Sequence, residues 1–323
     1  MIGDRGQSAG GPSPAGPVRG RPTPSLMWSP WQPLASADPL TAAVLAEILD
    51  GGQAFRWHCR ADGSWIGAWD SHVARLRLAG DGRLEWSAPA ARAAATGPAL
   101  ARDWDAGNPA RLLADSLPWR SDAHLARALA AHPGLRILRQ PFGETLLGFL
   151  CSAAKQIVQI RQMTSLLASR HGRPLLTEPA LLAEAPFLSH RLPTWEELAE
   201  VAEADLLACR LGFRARYIRG TARWLAAHPG WLAETEALPY PEAKARLAEL
   251  PGVGPKVADC VLLFGAGRME AFPVDVWIIA AMARHYGLAG WKPPQIAHFG
   301  RTHFGPLAGL AQQYLFAWER RTA

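Results

Sequence analysis

The run Leu250-Pro251-Gly252-Val253-Gly254-Pro255-Lys256-Val257-Ala258-Asp259-Cys260 constrains this chain more than any other stretch. A helix arriving through residues 241–249 must end near Leu250. Two glycines then permit a tight turn through backbone conformations closed to other residues. Pro255 suits the first position of a new helix, where its missing N–H costs nothing. The spacing predicts two helices joined by a hairpin, at about residues 243–264. Such a hairpin points backbone N–H groups outward beside a helix N-terminus, and both features favour a phosphate oxygen. Glycine-x-glycine alone would be a plain connection between helices; the full run reverses that balance.

Lys256 falls at about the second position of the new helix. A lysine is normally favoured at the other end, because the N-terminus repels its charge. One reading is a surface lysine that binds phosphate. The other is a nucleophile, which must be neutral. A free lysine has a pKa of about 10.4, so roughly one in a few thousand is neutral at pH 7. The helix terminus contributes about 0.3–1 kcal/mol, less than one pK unit, so desolvation must supply most of any activation. Further on, Phe272-Pro273-Val274-Asp275-Val276-Trp277 places Asp275 just before an apolar helix, as an N-cap. A capping carboxylate is held rigidly. Near Lys256 it can stabilise an oxocarbenium-like centre or take part in proton transfer.

The rest of the chain supplies the setting. Its 323 residues are enough for two domains, and 49% hydrophobic with 19% charged residues excludes a mostly disordered or collagen-like chain. No apolar run reaches membrane-spanning length and no apolar leader opens the chain, so a cytoplasmic or nucleoid protein is expected. The arginine-over-lysine skew, with Lys155, Lys244, Lys256 and Lys292 alone against the arginines, points to a bacterial source. The net charge of +6 is compatible with a polyanion partner. Cys59, Cys151, Cys209 and Cys260 have no metal-site spacing, and neither metal nor cofactor is expected.

Residues 1–26, rich in Gly and Pro, are expected to be a disordered tail. Residues 27–118 read as an antiparallel β domain. Ala54-Phe55-Arg56-Trp57 and residues 73–78 read as strands, with turns at Asp62-Gly63-Ser64 and Gly80-Asp81-Gly82. A helix over 42–49 precedes them. Residues 119–323 read as helical, with helices at about 143–151, 155–170, 214–228, 241–249, 255–264, 276–286 and 306–320. Thr194-Trp195-Glu196-Glu197 is a capping box.

Three further runs carry a family resemblance: Gly52-Gln53-Ala54-Phe55-Arg56-Trp57, Leu211-Gly212-Phe213-Arg214-Ala215-Arg216-Tyr217, and residues 305–316, which end Gln312-Gln313-Tyr314-Leu315-Phe316. With the hairpin and Pro273-Val274-Asp275-Val276, they resemble the 8-oxoguanine DNA glycosylase/AP lyase family of the helix–hairpin–helix superfamily. The resemblance implies an α+β fold: an N-terminal TATA-binding-protein-like antiparallel β domain and an all-α helix–hairpin–helix glycosylase domain. It implies a monomer that excises 8-oxoguanine from damaged double-stranded DNA in base excision repair, without a cofactor, metal or membrane. The damaged nucleotide is flipped out. Lys256 attacks its C1′, a Schiff base forms, and β-elimination nicks the strand. Asp275 matches the catalytic aspartate.

The resemblance also assigns the lesion pocket. Gly52 matches the residue whose carbonyl accepts the N7–H that 8-oxoguanine has and guanine lacks. An unmodified guanine would face that carbonyl with an acceptor, at a cost of about 1–3 kcal/mol. Phe316 and Cys260 match the residues that sandwich the base, and Gln312 the one on its Watson–Crick edge. Gly252, Val253, Gly254 and Val257 match the hairpin on the DNA backbone. Phe213 and Arg214 match positions near the intrahelical wedge and the estranged cytosine. Ala154 stands where the family commonly has asparagine, and Gln159 where it has arginine. Beside them Lys155 is a candidate phosphate contact. Trp277 replaces a histidine. The rival readings are a monofunctional alkylpurine glycosylase, which has no use for Lys256, and a non-catalytic helix–hairpin–helix DNA-binding protein, which has no use for a base pocket.

Overall fold

The computed structural model describes residues 27–34 and 38–322; the tail expected over 1–26 lies outside them. Five short strands form one antiparallel sheet: β1 (Gln32–Pro33), β2 (Trp57–Cys59), β3 (Trp65–Trp69), β4 (His72–Leu78) and β5 (Leu84–Ser87), in the order β1-β5-β4-β3-β2. Both expected turns are present. In the first, Asp62 Oδ1 accepts from the Ser64 N–H at 3.0 Å, and Gly63 takes a φ of +80°. Along β4, Leu76 is buried and Arg77 exposed, as alternation predicts, while Arg75 is half-buried and pairs with Glu184 at 3.3 Å.

The sheet is covered on both faces. Trp65, Leu76, Leu84 and Trp86 enter the main core with α1 (Ala42–Asp50). Ile66, Ala68 and Val73 pack instead on Leu175, Leu176, Leu181 and Leu188, contributed from within the helical region. Every position of β3 is buried for that reason.

The sequence reading differs from the structure in two places here. Residues 54–56 are not a strand, since β2 starts only at Trp57. Side-chain bonds hold the segment instead. Buried Gln53 donates to Arg136 O at 3.1 Å and accepts from the Leu138 N–H at 2.9 Å. Helices also appear before residue 119: α2 (Ala93–Asp103) and α3 (Ala110–Asp115). Alanine-rich sequence favours helix there, and Trp86 lies against Gly97 of α2, where any side chain would collide with its ring.

The helical region continues with α4 (Ala123–Ala131), α5 (Phe142–Cys151), α6 (Ile157–His171), α7 (Pro179–Glu184), α8 (Trp195–Ala199), α9 (Glu203–Leu207), α10 (Arg214–Ala227), α11 (Trp231–Ala237), α12 (Tyr240–Leu247), α13 (Pro255–Phe264), α14 (Val276–Tyr286), α15 (Pro293–Phe304) and α16 (Ala308–Thr322). All seven helices expected beyond residue 119 are present to within two residues at each end. The capping box at Thr194 closes both ways, at 3.2 and 2.9 Å. Helix α15 lies outside those expected; its Pro293 and Pro294 sit in the first turn, where they are tolerated. The α+β architecture is as anticipated, and one continuous core joins sheet and helices.

Candidate active site

The hairpin forms between α12 and α13. Gly252 takes a φ of +81°, and a Cβ there would lie 2.7 Å from the Tyr217 Cβ. Turn geometry and close packing both demand glycine. Gly254 is different: its φ is −89°, so the expectation of a special conformation is corrected for it. It is the N-cap of α13, and a Cβ on it would meet open space. That bare, exposed surface is where a phosphodiester backbone can approach the helix N-terminus. Val253 and Val257 turn their side chains into the core, leaving only backbone groups for any outside contact.

Pro255 opens α13 and Lys256 is its second residue. The Lys256 Nζ donates to Ser152 Oγ at 3.4 Å and lies 5.2 Å above the Phe149 ring. Both partners come from the end of α5. Cys260, one turn further along α13, is buried. Burial pushes its thiol up to about 11, and the adjacent Lys256 charge offsets part of that rise.

Asp275 caps α14 as expected, its Oδ1 accepting from the Ile278 N–H at 2.9 Å. Burial raises its carboxyl above the ordinary range, while the Ile278 N–H and the Lys256 charge pull the other way. Lys256 and Asp275, 19 residues apart, therefore act on each other across one site. Trp277 stands half-buried in the first turn of α14.

A second cluster forms between α16 and the loop after α1. Gln312 and Phe316 share one face of α16. Gly52 has a φ of +107°, and a Cβ built on it would sit 4.0 Å from the Phe316 Cζ and 3.1 Å from the Ile157 Cδ1. Gly52 and Phe316, distant in sequence, are thus brought together. The loop carrying Gly52 reaches the lysine side through Phe55, whose ring meets Phe149 edge-on at 5.4 Å. Gln312 is 4% exposed, and its Oε1 has no hydrogen-bond partner among the described residues. A buried carboxamide oxygen without a partner is costly, and a ligand's N–H would relieve it.

Of the other residues expected to face DNA, Phe213, Ala154 and Lys155 lie on exposed surface and Arg214 does not. Phe213 is 54% exposed, and the Arg214 guanidinium lies 4.3 Å from its ring. Arg214 itself is buried and donates to Leu211 O at 3.1 Å. Between α5 and α6, Ala154 and Lys155 are exposed, and Ala154 takes a left-handed φ of +51°. Gln159 is occupied locally, its Oε1 accepting from the Gln156 N–H at 3.2 Å.

Sequence reasoning missed three residues that shape the site: Phe149, Ser152 and Ile157. None carries a chemical signature. Their only signal was membership of the run at the end of α5 and the start of α6.

The chain resembles known proteins in the same terms. Residues 148–301 match the HhH-GPD superfamily base excision DNA repair protein family. Over 204 residues the chain is 38% identical to the N-glycosylase/DNA lyase OGG1 of Arabidopsis thaliana, a match covering 59% of this chain and 54% of that protein. It is 32% identical over 222 residues to a probable N-glycosylase/DNA lyase of Methanothermobacter thermautotrophicus, covering 64% of this chain and 70% of that one. The fold matches the crystal structure of Clostridium acetobutylicum 8-oxoguanine glycosylase/lyase, in complex with double-stranded DNA containing cytosine opposite 8-oxoguanine. The TM-score is 0.77 with 30% identity, over 86% of this chain and 92% of that one. The match therefore spans about half the length of the Arabidopsis relative and nearly all of the clostridial structure.

Proposed function

This chain belongs to the 8-oxoguanine DNA glycosylase/AP lyase family, and from that premise we propose that it excises 8-oxoguanine from duplex DNA and then nicks the strand. The observation that carries the proposal is a chain of contacts between two clusters, Lys256 lying over Phe149 and Phe149 meeting Phe55 of the Gly52 loop. Lys256 and Asp275 belong to one cluster, and Gly52, Gln312 and Phe316 to the other.

The flipped 8-oxoguanine stacks between the Phe316 ring and Cys260. The Gly52 carbonyl accepts its N7–H. The orphaned Gln312 Oε1 accepts an N–H from its Watson–Crick edge, which supports placing the base there. The Lys256 amine, after giving up a proton, attacks C1′, the C1′–N9 bond breaks, and the base departs with the bonding electrons. Opening of the sugar ring gives the lysine Schiff base. Loss of a C2′ proton then expels the 3′-phosphate by β-elimination. Asp275, within reach of the Lys256 charge and with its carboxyl raised by burial, stabilises the positive charge that develops at C1′ and exchanges protons. The bare surface of Gly254 and the α13 N-terminus hold a backbone phosphate. Phe213 fills the gap left in the duplex, and Lys155 meets a phosphate beside it. No polar side chain at Ala154 reads the opposite base.

The test is borohydride trapping on a duplex carrying one 8-oxoguanine, paired in turn with each of the four bases. Undamaged duplex and Lys256→Gln serve as controls. A trapped adduct that depends on both the lesion and Lys256 is expected. Base release without an adduct would replace the lysine mechanism by a water-using one. Tight DNA binding with neither would leave a DNA-binding protein without this activity.

A further inference from the structure

We infer that Arg161 is a positioning residue that sets discrimination between 8-oxoguanine and guanine, by clamping the Gly52 loop to α6. The inference rests on the role of Gly52 proposed above. That role depends on one carbonyl oxygen meeting one N–H, so a displacement well under 1 Å decides whether the lesion is distinguished. Yet the carbonyl belongs to Gly52, which follows Gly51, so no side chain of either fixes it, and the Gln53 bonds to Arg136 and Leu138 anchor only the residue after it. The loop must be held from outside.

Arg161 holds it at both ends. Its Nη1 pairs with Asp50 Oδ1 at 2.8 Å, on the N-terminal side of Gly52. Its Nη2 donates to Trp57 O at 2.8 Å and to His58 Nδ1 at 2.9 Å, on the C-terminal side. Burial first, then the Arg161 charge, lowers His58 to about 4, so its ring is neutral and its Nδ1 accepts. Four residues earlier on the same face of α6, Ile157 packs directly against Gly52. Ile157 thus supports the glycine while Arg161 ties down the chain on either side. A planar guanidinium can make these bonds together, whereas a lysine ammonium would keep the Asp50 pair and lose the geometry of the rest.

The experiment compares wild type, Arg161→Ala, Arg161→Lys and Asp50→Asn on two duplexes, one with 8-oxoguanine and one with a preformed abasic site. The abasic substrate needs the lysine chemistry but no base readout. For Arg161→Ala, single-turnover excision of 8-oxoguanine is expected to fall about tenfold or more, with abasic-site cleavage changed by less than about threefold. The preference for 8-oxoguanine over guanine duplex in binding should fall with excision, and Arg161→Lys should lie between. If Arg161→Ala fails to fold, Asp50→Asn removes only the ion pair and is expected to shift the excision-to-cleavage ratio in the same direction. With a wild type that excises the lesion, equal loss on both substrates or an unchanged ratio in the variants overturns the inference alone. A wild type inactive on 8-oxoguanine overturns the proposed function and the inference with it.

Discussion

The Lys256 Nζ lies 3.4 Å from Ser152 Oγ, and that hydroxyl donates its own proton to Phe149 O at 2.7 Å. The hydroxyl therefore offers the lysine a lone pair and nothing else. The amine is oriented by a hydrogen bond in which it is the donor, with the Nζ itself 5.2 Å from the centre of the Phe149 ring.

Lys256→Gln keeps a polar side chain of similar reach that can still donate to Ser152. It has no amine to form a Schiff base. Excision and borohydride trapping should be abolished, while binding of an 8-oxoguanine duplex stays within about threefold of wild type. A variant that still releases the base would remove Lys256 from the nucleophile's role.

Gln312 is where recognition is set against stability. Its buried Oε1 lacks a partner among the described residues, and an unmet acceptor costs about 1–3 kcal/mol in the free protein. Gln312→Leu should therefore raise the melting temperature, by relieving that cost at similar volume. The same change should lower 8-oxoguanine excision by about tenfold or more, since the base edge loses its acceptor. Calorimetry and single-turnover kinetics on one preparation check both. A destabilised variant would show that Gln312 Oε1 has a partner in solution.

Gly252→Ala should be destabilising by about 1–3 kcal/mol, because it meets two penalties. The backbone φ of +81° disfavours any Cβ, and the Tyr217 side chain leaves no room for one. Gly254→Ala meets neither and should melt within about 0.5–1 kcal/mol of wild type, losing affinity for undamaged duplex instead. Denaturant unfolding beside a DNA titration separates the two. Equal effects at both glycines would refute this division between a glycine kept for the turn and one kept for the ligand.

These contrasts show what the sequence could carry. The hairpin, the Asp275 cap and the Gln312–Phe316 spacing were legible because each depends on residues within one turn or one helical face. Gly254 was misjudged because composition alone cannot separate a glycine needed for its φ from one needed for empty space. Residues 54–56 alternate like a strand, but Gln53 bonds them to Arg136 and Leu138, more than 80 positions away. The pairings Gly52–Ile157, Arg161–Asp50 and Lys256–Ser152 were out of reach for the same reason. Each joins segments more than 100 residues apart and is fixed by the packing of whole helices.

Glu144 gives a pH signature for the junction between sheet and helices. Its carboxylate accepts from the Asp70 N–H at 3.0 Å and lines, with Asp103 and Arg56, a cavity of about 50 Å³. Burial pushes Glu144 from 4.5 to about 7, against the pull of Arg56; burial likewise pushes Asp103 to about 7. A carboxyl raised in the folded state keeps a proton that the unfolded chain has already released. Its contribution is thus fully present below the unfolded pKa and is lost as pH rises through the folded one. Glu144→Gln is permanently neutral and can still accept from Asp70. Between about pH 5 and about pH 8, the melting temperature of wild type should therefore fall relative to that of Glu144→Gln. Melting curves across that range check it, and parallel curves would mean that Glu144 titrates alike in the folded and unfolded chain.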